Sequence, residues 1–425
     1  MKYYFQKIKN IYHLFQAILA NIIYGFPSRK LKVIGVTGTD GKTTTTHLIY
    51  NILISAGKKT SMISSVYAKV GDREYDTGFH VTTPNPFFIQ KMLRQAISSG
   101  DQFFVLETTS HALDQNRVWG VNYKVGVLTN VTHEHLDYHQ NYDEYLKAKL
   151  KLFSASEVAI TNRDDESYKE IQISKFKPAC RTGRPACRQA GLKILTYGYK
   201  NKADYSINFN LELTDYNRYN YLAAYSVCRV LGIQEQTILK AIKSFKLPLG
   251  RLDIVYDKEY KVIIDFAHTP NAFEQVLPSV RSLYLKGDGR LIHIFGSAGL
   301  RDFTKRPLMG EASGKYADLV ILTEEDYRTE DPMEICLAIA KGLEKQGFKR
   351  EHFDVSKHRS KIFDIIIDRE KAIKKALEIA QKNDVIILTG KGHEKSLCRG
   401  KKEYPWDEEE TVLKIISKLK TKICD

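Results

Sequence analysis

The sequence predicts an α/β protein with two sheet-containing domains and a short helical segment before them. Its 425 residues would fill two to three domains of ordinary size. With 43% hydrophobic and 27% charged residues, the chain can bury sizeable cores. Short apolar runs alternate with helical patterns in two separate series, which is typical of βαβ units around parallel sheets.

Residues 1–30 predict a basic amphipathic helix, because apolar side chains recur there at helical spacing. These are Ile8, Ile11, Tyr12, Phe15, Ile18, Leu19 and Ile22. The pattern favours a helix packed on the domain behind it. The alternative is an interfacial membrane helix with Lys2, Lys7 and Lys9 facing headgroups. A secretory signal is not expected, since no small-residue cleavage site follows.

The first α/β series predicts a central domain over residues 31–246. A strand at Leu31–Val36 runs into a Gly/Thr-rich turn and a helix at His47–Ala56. Further strands are predicted at Phe103–Leu106, Val125–Leu128 and Glu157–Ile160, and helices at Tyr219–Leu231 and Gln234–Phe245. Residues 177–191 interrupt this pattern with a repeat of Pro-Ala-Cys-Arg, which predicts a surface-loop insert. A basic contact loop or a reversible thiol pair is the alternative.

The second α/β series predicts a C-terminal domain over residues 247–425, after a linker at Leu247–Gly250. Its strands are predicted at Val262–Asp265, Leu291–Phe295, Leu319–Leu322 and Val385–Thr389. The six cysteines are too sparse for a disulfide framework and suit a reducing cytosol. The formal charge of +15 favours an anionic ligand, but no nucleic-acid recognition motif occurs, so nucleic-acid binding is not expected.

The strongest local signal is the segment Gly38-Thr39-Asp40-Gly41-Lys42-Thr43 between a strand and a helix. Glycines let backbone N–H groups approach phosphate oxygens, and the lysine and threonine suit a phosphate and Mg²⁺. The usual spacing would place a glycine at position 36, where this chain has Val36. The segment therefore predicts a shortened phosphate-binding loop.

Two further patterns suggest metal or phosphate chemistry, and a third does not. Glu107 ends an apolar run, where open α/β sheets bind ligands, so it could hold Mg²⁺ opposite Thr43. An N-cap or salt bridge is the alternative. Residues 129–139 hold three histidines and two carboxylates; zinc competes there, but Mg²⁺ fits a nucleotide site better. Lys147, Lys149 and Lys151 are interpreted from spacing alone as a solvated basic face.

These motifs resemble the Mur ligase family, the ATP-dependent amide-bond synthetases of peptidoglycan assembly. The central domain matches in GVTGTDGKTTT, Thr82–Pro84, ETTSHALDQNRV, TNVTHEHLDYH and YLKAKLKLF. The C-terminal domain matches in Leu249–Asp253, Ile263–Pro270, Gly299–Gly310 and Thr389–Glu394. The combination is most similar to the members that add the third amino acid to UDP-N-acetylmuramoyl-L-alanyl-D-glutamate. The resemblance implies a central P-loop ATPase domain and a C-terminal Rossmann-like ligase domain.

The resemblance also implies roles for individual residues, with ATP and Mg²⁺ as cofactors. The catalytic set would be Lys42, Lys149, His135 and Glu107. ATP would be bound by Gly38, Thr39, Asp40, Gly41, Lys42, Thr43, Thr44, Asn220, Arg251 and Asp265. Mg²⁺ would be held by Thr43, Glu107, His135 and Lys149, the last as a carbamate. The UDP-muramyl dipeptide would contact Thr82, Thr83, Ser110, Gln115 and Arg117, and the incoming amino acid Arg301, Arg328, Gly390 and Glu394.

The implied reaction forms an acyl phosphate on the D-glutamate side chain, which the amine of the incoming amino acid then attacks. Arg328 favours meso-diaminopimelate, because a guanidinium can pair with its distal carboxylate. The alternative is that Arg328 ties down its own loop by pairing with Glu324, Glu325 and Asp326. The resemblance further implies a monomer in the cytoplasm, with possible contact to the inner membrane face through residues 1–30.

Three departures from the family pattern qualify these expectations. A full synthetase has on the order of 80 residues more before the phosphate loop, so the resemblance implies a shortened N-terminal domain and leaves UDP recognition open. Asp40 stands where asparagine is usual, and Glu325-Asp326-Tyr327-Arg328 where Asp-Asn-Pro-Arg is usual. The alternative function is a related ligase acting on another glutamyl or lipid-linked acceptor. A non-enzymatic ATP-binding scaffold is disfavoured, since Glu107, His135 and Lys149 are all present.

Overall fold

The computed structural model describes residues 2–77, 82–132, 138–173, 192–353 and 361–424. The chain forms two compact units, residues 1–246 and 247–425, each built on its own mainly parallel sheet. The predicted α/β class with a helical N-terminal segment is therefore confirmed. Two predictions concern residues outside the described ranges: His135 as a ligand of the second metal ion, and the insert at 177–191.

The sheet of unit 1 has the strand order β4-β3-β2-β5-β1-β6-β7-β8. Its strands are β1 (Lys32–Thr37), β2 (Thr60–Ile63), β3 (Ala68–Val70), β4 (Arg73–Tyr75), β5 (Phe103–Glu107), β6 (Tyr123–Leu128), β7 (Ser156–Asn162) and β8 (Lys193–Tyr197). The β2-β3-β4 edge is antiparallel, and the other pairs are parallel. The first strand thus lies between β5 and β6, in the middle of the sheet.

Helices cover both faces of this sheet. They are α1 (Lys2–Tyr24), α2 (Lys42–Ser55), α3 (Pro86–Ser98), α4 (Ser110–Asp114), α5 (Tyr142–Ser154), α6 (Ser167–Ile173), α7 (Asp215–Val230) and α8 (Glu235–Ser244), with a 3₁₀ turn at Pro27–Lys30. Alternate residues of β1 enter different cores: Ile34 joins Leu48 of α2 and Leu222 of α7, and Val33 joins Leu93 of α3. This period-two alternation is the geometry of a strand buried on both faces.

Helix α1 packs on unit 1, but not through the face on which its large apolar side chains recur. Ala17, Ala20 and Asn21 are fully buried, and the helix contacts α3. Five of the residues that define the predicted apolar face are exposed instead: Ile11, Tyr12, Phe15, Leu19 and Ile22. The prediction that the helix packs on the domain behind it holds, but the assignment of its apolar face to that contact is wrong.

Unit 2 carries a seven-stranded sheet in the order β13-β14-β12-β11-β15-β10-β9. Its strands are β9 (Asp253–Asp257), β10 (Lys261–Ile264), β11 (Leu291–Phe295), β12 (Leu319–Leu322), β13 (Lys349–Arg350), β14 (Ile362–Ile365) and β15 (Val385–Leu388), and a separate hairpin joins β16 (Ser396–Arg399) to β17 (Lys402–Pro405). Only β9 pairs antiparallel within the larger sheet. The predicted strands Leu291–Phe295 and Leu319–Leu322 are confirmed residue for residue.

The helices of unit 2 are α9 (Pro270–Tyr284), α10 (Lys305–Tyr316), α11 (Pro332–Lys345), α12 (Arg369–Ile379) and α13 (Glu408–Cys424). Side chains of β10, β11, β12 and β15 pack with α12 and α13 in one apolar cluster. Cys228, Cys336 and Cys398 are free and buried. Among the described helices of both units, none is long and apolar enough to cross a bilayer.

Candidate functional site

The phosphate loop lies at the carboxyl edge of the unit 1 sheet, between β1 and α2. In the sheet register Val36 pairs with Glu107 of β5, and Thr37 pairs with Leu128 of β6. Glu107 and the Thr129-Asn130 pair therefore flank the loop on either side. Because parallel strands end at the same edge, three motifs far apart in the sequence meet here.

Two glycines of the loop have backbone conformations and surroundings that exclude a side chain. Gly38 has φ 153° and Gly41 has φ 79°. A Cβ on Gly38 would lie 1.8 Å from Thr129 Oγ1, and one on Gly41 would lie 2.0 Å from Asn220 Oδ1. Asn220, the predicted adenine contact, is thus packed directly against the loop by α7. Its Nδ2 donates to Asn217 Oδ1 at 3.1 Å.

The loop backbone is held by the two residues that directly follow β6, Thr129 and Asn130. The Asp40 amide donates to Asn130 Oδ1 at 2.9 Å, and Thr129 Oγ1 donates to the Asp40 carbonyl at 2.6 Å. Lys42 folds back so that Nζ donates to the Thr39 carbonyl at 2.6 Å. The mobile cation of the motif is therefore already placed over the loop, where a bound phosphate would meet it.

Thr43 and Glu107 form an oxygen-rich pair, as the sequence predicted. Thr43 Oγ1 donates to Glu107 Oε1 at 3.1 Å, and both residues are buried. Ser65 completes the arrangement: its amide donates to Glu107 Oε2 at 2.9 Å, and its Oγ lies 2.9 Å from Thr43 Oγ1. Hydroxyl and carboxylate oxygens are the donors that Mg²⁺ prefers. Within the described parts of the chain, no group of three or more His, Cys, Asp or Glu side chains is arranged to hold a metal ion.

Lys149 on α5 is buried, with 1% of its surface exposed. Its Nζ donates to the Gly38 carbonyl at 2.6 Å and lies 4.2 Å from the centre of the Tyr145 ring. The Tyr145 hydroxyl is 3.1 Å from Thr39 Oγ1. The interpretation of three lysines as one solvated face is therefore wrong at Lys149. It is confirmed for Lys147 and Lys151, whose side chains are 69% and 47% exposed.

Three of the five residues predicted to contact the muramyl dipeptide form one network beside Glu107. Arg117 Nε donates to Gln115 Oε1 at 2.8 Å, and Arg117 Nη1 donates to the Thr83 carbonyl at 3.0 Å. Thr83 Oγ1 donates to the Glu107 carbonyl at 3.1 Å. Burial lowers the pKa of the Arg117 guanidinium below its ordinary value, but an arginine stays charged at neutral pH.

The remaining two predicted contacts, Thr82 and Ser110, directly neighbour Thr83 and Thr109 in the chain, and those two residues are hydrogen-bonded to each other. Ser110 begins α4, and its Oγ is 3.1 Å from His139 Nε2. Thr82, next to Thr83 in the chain, is half-buried. The structure therefore gathers Thr83, Gln115 and Arg117 by direct contacts and places Ser110 on the neighbouring short helix.

Asp265 in unit 2 follows β10 and is buried. Its two oxygens accept hydrogen bonds from the Leu252 and Ala267 amides, each at 2.8 Å, and burial raises the pKa of this carboxyl. Arg251, one residue before Leu252, stacks 4.6 Å from the centre of the Phe266 ring. Asp265 thus fixes the backbone next to Arg251, so the two predicted ATP contacts are close together.

Three consecutive acids after β12 take three different environments. Arg399 Nε donates to Glu324 Oε2 at 2.8 Å, and Lys391 Nζ donates to Asp326 Oδ1 at 2.9 Å. Glu325 lies between them and is buried, and its Oε2 has no hydrogen-bond partner among the residues that the structure describes. Burial, the largest effect, raises the pKa of Glu325, while Lys305 and His268 oppose it.

Arg328 binds its own loop through backbone carbonyls. Its Nη1 donates to the Gly299 carbonyl at 2.7 Å and to the Asp326 carbonyl at 3.3 Å, and its φ of 54° is uncommon for a side-chain-bearing residue. Arg328 thus ties down its own loop, as the alternative expected, but it does so through backbone carbonyls and not through the carboxylates of the three neighbouring acids. Arg301, two residues after Gly299, is exposed.

The other two predicted amino-acid contacts face the same acids. Gly390 has φ 101°, and a Cβ there would lie 2.7 Å from Glu325 Oε2. Glu394 Oε2 accepts from Lys391 Nζ at 2.6 Å. Arg328, Gly390 and Glu394 are thus connected through Glu325, Asp326 and Lys391, whereas Arg301 stands apart at the surface.

Two residues of this cluster were missed as candidates. Lys391 is fully buried, and although burial opposes its charge, Glu394 and Asp326 raise its pKa above 10.5. Its signal in the sequence is a lysine three residues after an apolar strand, within Thr389–Glu394. Glu325 appeared in the sequence only as one of three adjacent acids. Its burial depends on the fold of the loop.

Comparison with known proteins gives matches along most of the chain. The Mur ligase middle domain matches residues 36–228, and the Mur ligase glutamate ligase domain matches residues 250–392. The chain is 37% identical over 410 residues to the UDP-N-acetylmuramoyl-L-alanyl-D-glutamate--2,6-diaminopimelate ligase of Aquifex aeolicus (strain VF5). That alignment covers 93% of this chain and 80% of the relative.

Solved structures agree with these matches. A UDP-N-acetylmuramoyl-L-alanyl-D-glutamate--2,6-diaminopimelate ligase structure superimposes with a TM-score of 0.57 at 29% identity, covering 92% of this chain and 79% of that one. Escherichia coli FolC in complex with DHPP and ADP gives a TM-score of 0.67 at 16% identity, covering 96% and 93%. At that identity, the second likeness concerns the fold alone.

Proposed function

The chain belongs to the Mur ligase family, and on that premise we propose that it adds meso-diaminopimelate to UDP-N-acetylmuramoyl-L-alanyl-D-glutamate in peptidoglycan biosynthesis. Members of this family are ATP-dependent amide ligases. The observation that carries the proposal is the buried cluster around the phosphate loop, in which Thr43 meets Glu107 and Lys149 meets the Gly38 carbonyl. Relatives with the same named activity are 33–38% identical over most of the chain.

The first chemical step transfers a phosphoryl group to the acceptor. The side-chain carboxylate of the D-glutamate attacks the γ-phosphorus of ATP, and the bond to the β,γ-bridging oxygen breaks to release ADP. Lys42 supplies positive charge beside the phosphoryl oxygens, and the loop amides add hydrogen bonds. Phosphoryl transfer depends mainly on such positioning and electrostatic stabilisation. In the second step the amine attacks the acyl carbon, inorganic phosphate leaves and the amine loses a proton.

The residues around Thr43 fit Mg²⁺, because its hydroxyl and the Glu107 carboxylate are buried together at the end of the phosphate loop. We assign these two residues as its protein ligands there. When bound, Mg²⁺ would neutralise charge on the phosphate oxygens and orient them. His135 keeps its proposed role as a ligand of a second ion.

Lys149 is proposed to act as a carbamate. An ammonium cannot ligate a cation, but addition of CO₂ to the neutral amine, with loss of a proton, gives an anionic carbamate with two oxygens. The short contact from Lys149 Nζ to the Gly38 carbonyl supports this proposal, because a group built on that nitrogen would lie beside the phosphate loop. Burial shields the site from bulk water, which supports a specific chemical role over a solvated surface lysine.

Recognition of the two substrates is proposed to be divided between the units. Thr82, Thr83, Ser110, Gln115 and Arg117 of unit 1 would contact the muramyl dipeptide. Arg301, Arg328, Gly390 and Glu394 of unit 2 would contact the diamino acid.

Arg328 can pair with the distal carboxylate of diaminopimelate, since Glu324 and Asp326 are held by Arg399 and Lys391. Glu325 is the one acid of the three whose Oε2 has no partner. We therefore add it as a candidate acceptor for a substrate ammonium. With Glu325 and Arg328 in one loop, the site would suit an amino acid whose distal end carries both an ammonium and a carboxylate.

We also propose that the working form is a monomer in the cytoplasm, at the inner face of the membrane. Three free buried cysteines suit a reducing compartment. Residues 1–30 are the proposed membrane contact. Sedimentation velocity at micromolar concentration should give a single species of the mass of one chain; a dimer would contradict the monomer.

Acyl-phosphate formation gives the most specific test of the chemistry. Protein, ATP and UDP-muramyl dipeptide with hydroxylamine, but without amino acid, should yield ADP and a hydroxamate on the D-glutamate side chain. ADP release that does not depend on the dipeptide would contradict the proposed acceptor. Hydroxamate on a different glutamyl compound would instead support the alternative, a related ligase with another acceptor.

A further inference from the structure

Helix α1 exposes a continuous stripe of large apolar side chains. Ile11, Tyr12, Phe15, Leu19, Ile22 and Ile23 are each between 51% and 66% exposed. At 100° per residue, these six positions fall within about 120° of the helix circumference. We refer to these six residues as the α1 stripe. A patch of this kind marks an interaction surface more often than isolated exposed residues do.

The opposite face of the helix is what attaches it to unit 1, and that face is small and polar. Ala17, Ala20 and Asn21 are buried, and Asn21 Nδ2 donates to the Trp119 carbonyl at 2.8 Å. Nearer the N-terminus, Asn10 Nδ2 donates to Asp114 Oδ2 at 2.9 Å and Gln6 Nε2 to the Tyr138 hydroxyl at 3.1 Å. The helix is thus fixed in one rotation, with its most apolar side outward.

The surroundings of the α1 stripe are positively charged. The first 39 residues contain no acidic residue. Lys9, Arg29 and Lys30 are exposed. Helix α3, which packs against α1, also has no acid and adds exposed Lys91 and Arg94. An outward apolar stripe bordered by basic residues is the pattern of a helix that lies in the interface of an anionic bilayer.

We propose that the α1 stripe docks this protein on anionic lipid surfaces, with α1 lying in the plane of the membrane. Helix α1 is not long and apolar enough to span a bilayer, so only one of its faces can be buried in the lipid. Basic neighbours attract acidic headgroups, while Phe15, Leu19 and Ile22 enter the acyl boundary. A second copy of the chain would also cover apolar surface, but the excess of positive charge on both partners would oppose that pairing.

The docked helix would lie next to the residues proposed to bind the muramyl dipeptide. The Tyr138 hydroxyl that accepts from Gln6 also accepts from Gln115 Nε2 at 3.3 Å. Asp114, bound by Asn10, directly precedes Gln115 in the chain. Membrane docking would therefore hold the acceptor side of unit 1 close to the lipid surface. This consequence rests on the proposed function, whereas lipid binding itself does not.

The test is vesicle flotation with the full chain and a triple variant, F15S/L19S/I22S. All three side chains are exposed, so the variant should keep its thermal unfolding midpoint. The unaltered protein should float with phosphatidylglycerol vesicles and not with phosphatidylcholine vesicles, and high salt should weaken binding. The triple variant should lose at least about tenfold in apparent affinity, since three large apolar groups no longer enter the interface.

A matched control carries three exposed apolar residues elsewhere, as I194S/I254S/L413S, and should float like the unaltered protein. Equal flotation of the stripe variant, or no flotation of the unaltered protein, would overturn the proposal. So would a dimer in sedimentation that becomes a monomer in the stripe variant, because the stripe would then bind a second copy. The assay does not measure catalysis, so its failure would leave the proposed ligase activity standing.

Discussion

The phosphate loop of unit 1 and the acid-rich loop of unit 2 organise their charged residues in different ways. In unit 1, the motif residues contact one another: Thr43 binds Glu107, and Lys149 binds the Gly38 carbonyl. In unit 2, Glu324 and Asp326, on either side of Glu325, bind Arg399 and Lys391, which are more than sixty positions away in the sequence. A site at the ends of neighbouring parallel strands can therefore be predicted from its motifs, whereas charge pairing within a loop cannot be predicted from adjacency.

The phosphate loop should show the largest effect of a single substitution. Lys42→Ala should lower ATP turnover by about a hundredfold to a thousandfold, because one preorganised positive group at a transferring phosphoryl group is lost. Phosphate release with both substrates present measures this. Lys240→Ala, an exposed lysine on α8, is the matched control and should leave turnover unchanged. A mild effect of Lys42→Ala would mean that the loop does not bind the transferred phosphate.

Lys149 separates a chemical role from a structural one. Lys149→Ala should nearly abolish turnover, on the scale of a lost metal ligand, about a hundredfold or more. Short carboxylic acids should restore part of the activity by supplying the missing carboxylate oxygens. Lys147→Ala, two residues earlier on the same helix and exposed, should behave like the unaltered protein. Full activity of Lys149→Ala, or loss without any chemical rescue, would contradict the carbamate.

The lysines of α5 also illustrate what the sequence can and cannot predict. Lys147 and Lys151 are four apart and share a helix face, whereas Lys149 projects from the other side. The spacing alone therefore shows that Lys149 lies on a different helix face from the other two lysines. It does not show which of the two faces is buried. The continuous apolar runs of β11 and β12 were sufficient to place both strands. The short β3-β4 edge was not predicted, because Arg73–Tyr75 is largely exposed and its pairing is non-local.

The same limit applies to helix α1 and to the acid-rich loop. Apolar spacing predicted the helix but assigned the wrong face to the contact, because amphipathicity does not say what covers the apolar side. For residues 324–328, the sequence shows which side chains are charged but not which residues they bind. Their partners Arg399 and Lys391 lie on β16 and in the segment between β15 and β16.

In unit 2, Arg328 should affect one substrate and not the other. Arg328→Ala should raise the KM for diaminopimelate by roughly thirtyfold to several thousandfold, the equivalent of about 2–5 kcal/mol for a broken charge pair. The KM for ATP should change little. Arg350→Ala, an exposed arginine of β13, serves as the control. Equal losses for ATP and diaminopimelate would indicate that Arg328 only supports its loop.

Substitution of Glu325 should give the smallest effect of this series, and the effect should be seen in the free energy of unfolding. Burial raises the pKa of its carboxyl above the ordinary 4.5, so the folded state holds the proton more tightly than the unfolded state. The free energy of unfolding should therefore fall as the pH rises from 4.5 through the raised pKa. Glu325→Gln should remove this decline and be more stable than the unaltered protein at neutral pH. Chemical denaturation across that pH range measures the difference.

The same variant tests the proposed contact between Glu325 and a substrate ammonium. Glu325→Gln should bind diaminopimelate more weakly while becoming more stable, since a buried charge retained at a cost in stability is expected at a binding site. A variant that is more stable and binds the amino acid as before would leave Glu325 without a role in recognition.

The central claim is that the chain joins diaminopimelate to the D-glutamate of the muramyl dipeptide at the expense of ATP. Incubation of the protein with ATP, Mg²⁺, UDP-muramyl dipeptide and an equimolar mixture of meso-diaminopimelate and L-lysine tests it directly, with the product identified by mass spectrometry. We predict one product, with the mass of the dipeptide plus diaminopimelate less water, formed in step with ADP. Efficient addition of L-lysine with no diaminopimelate product would contradict the claim.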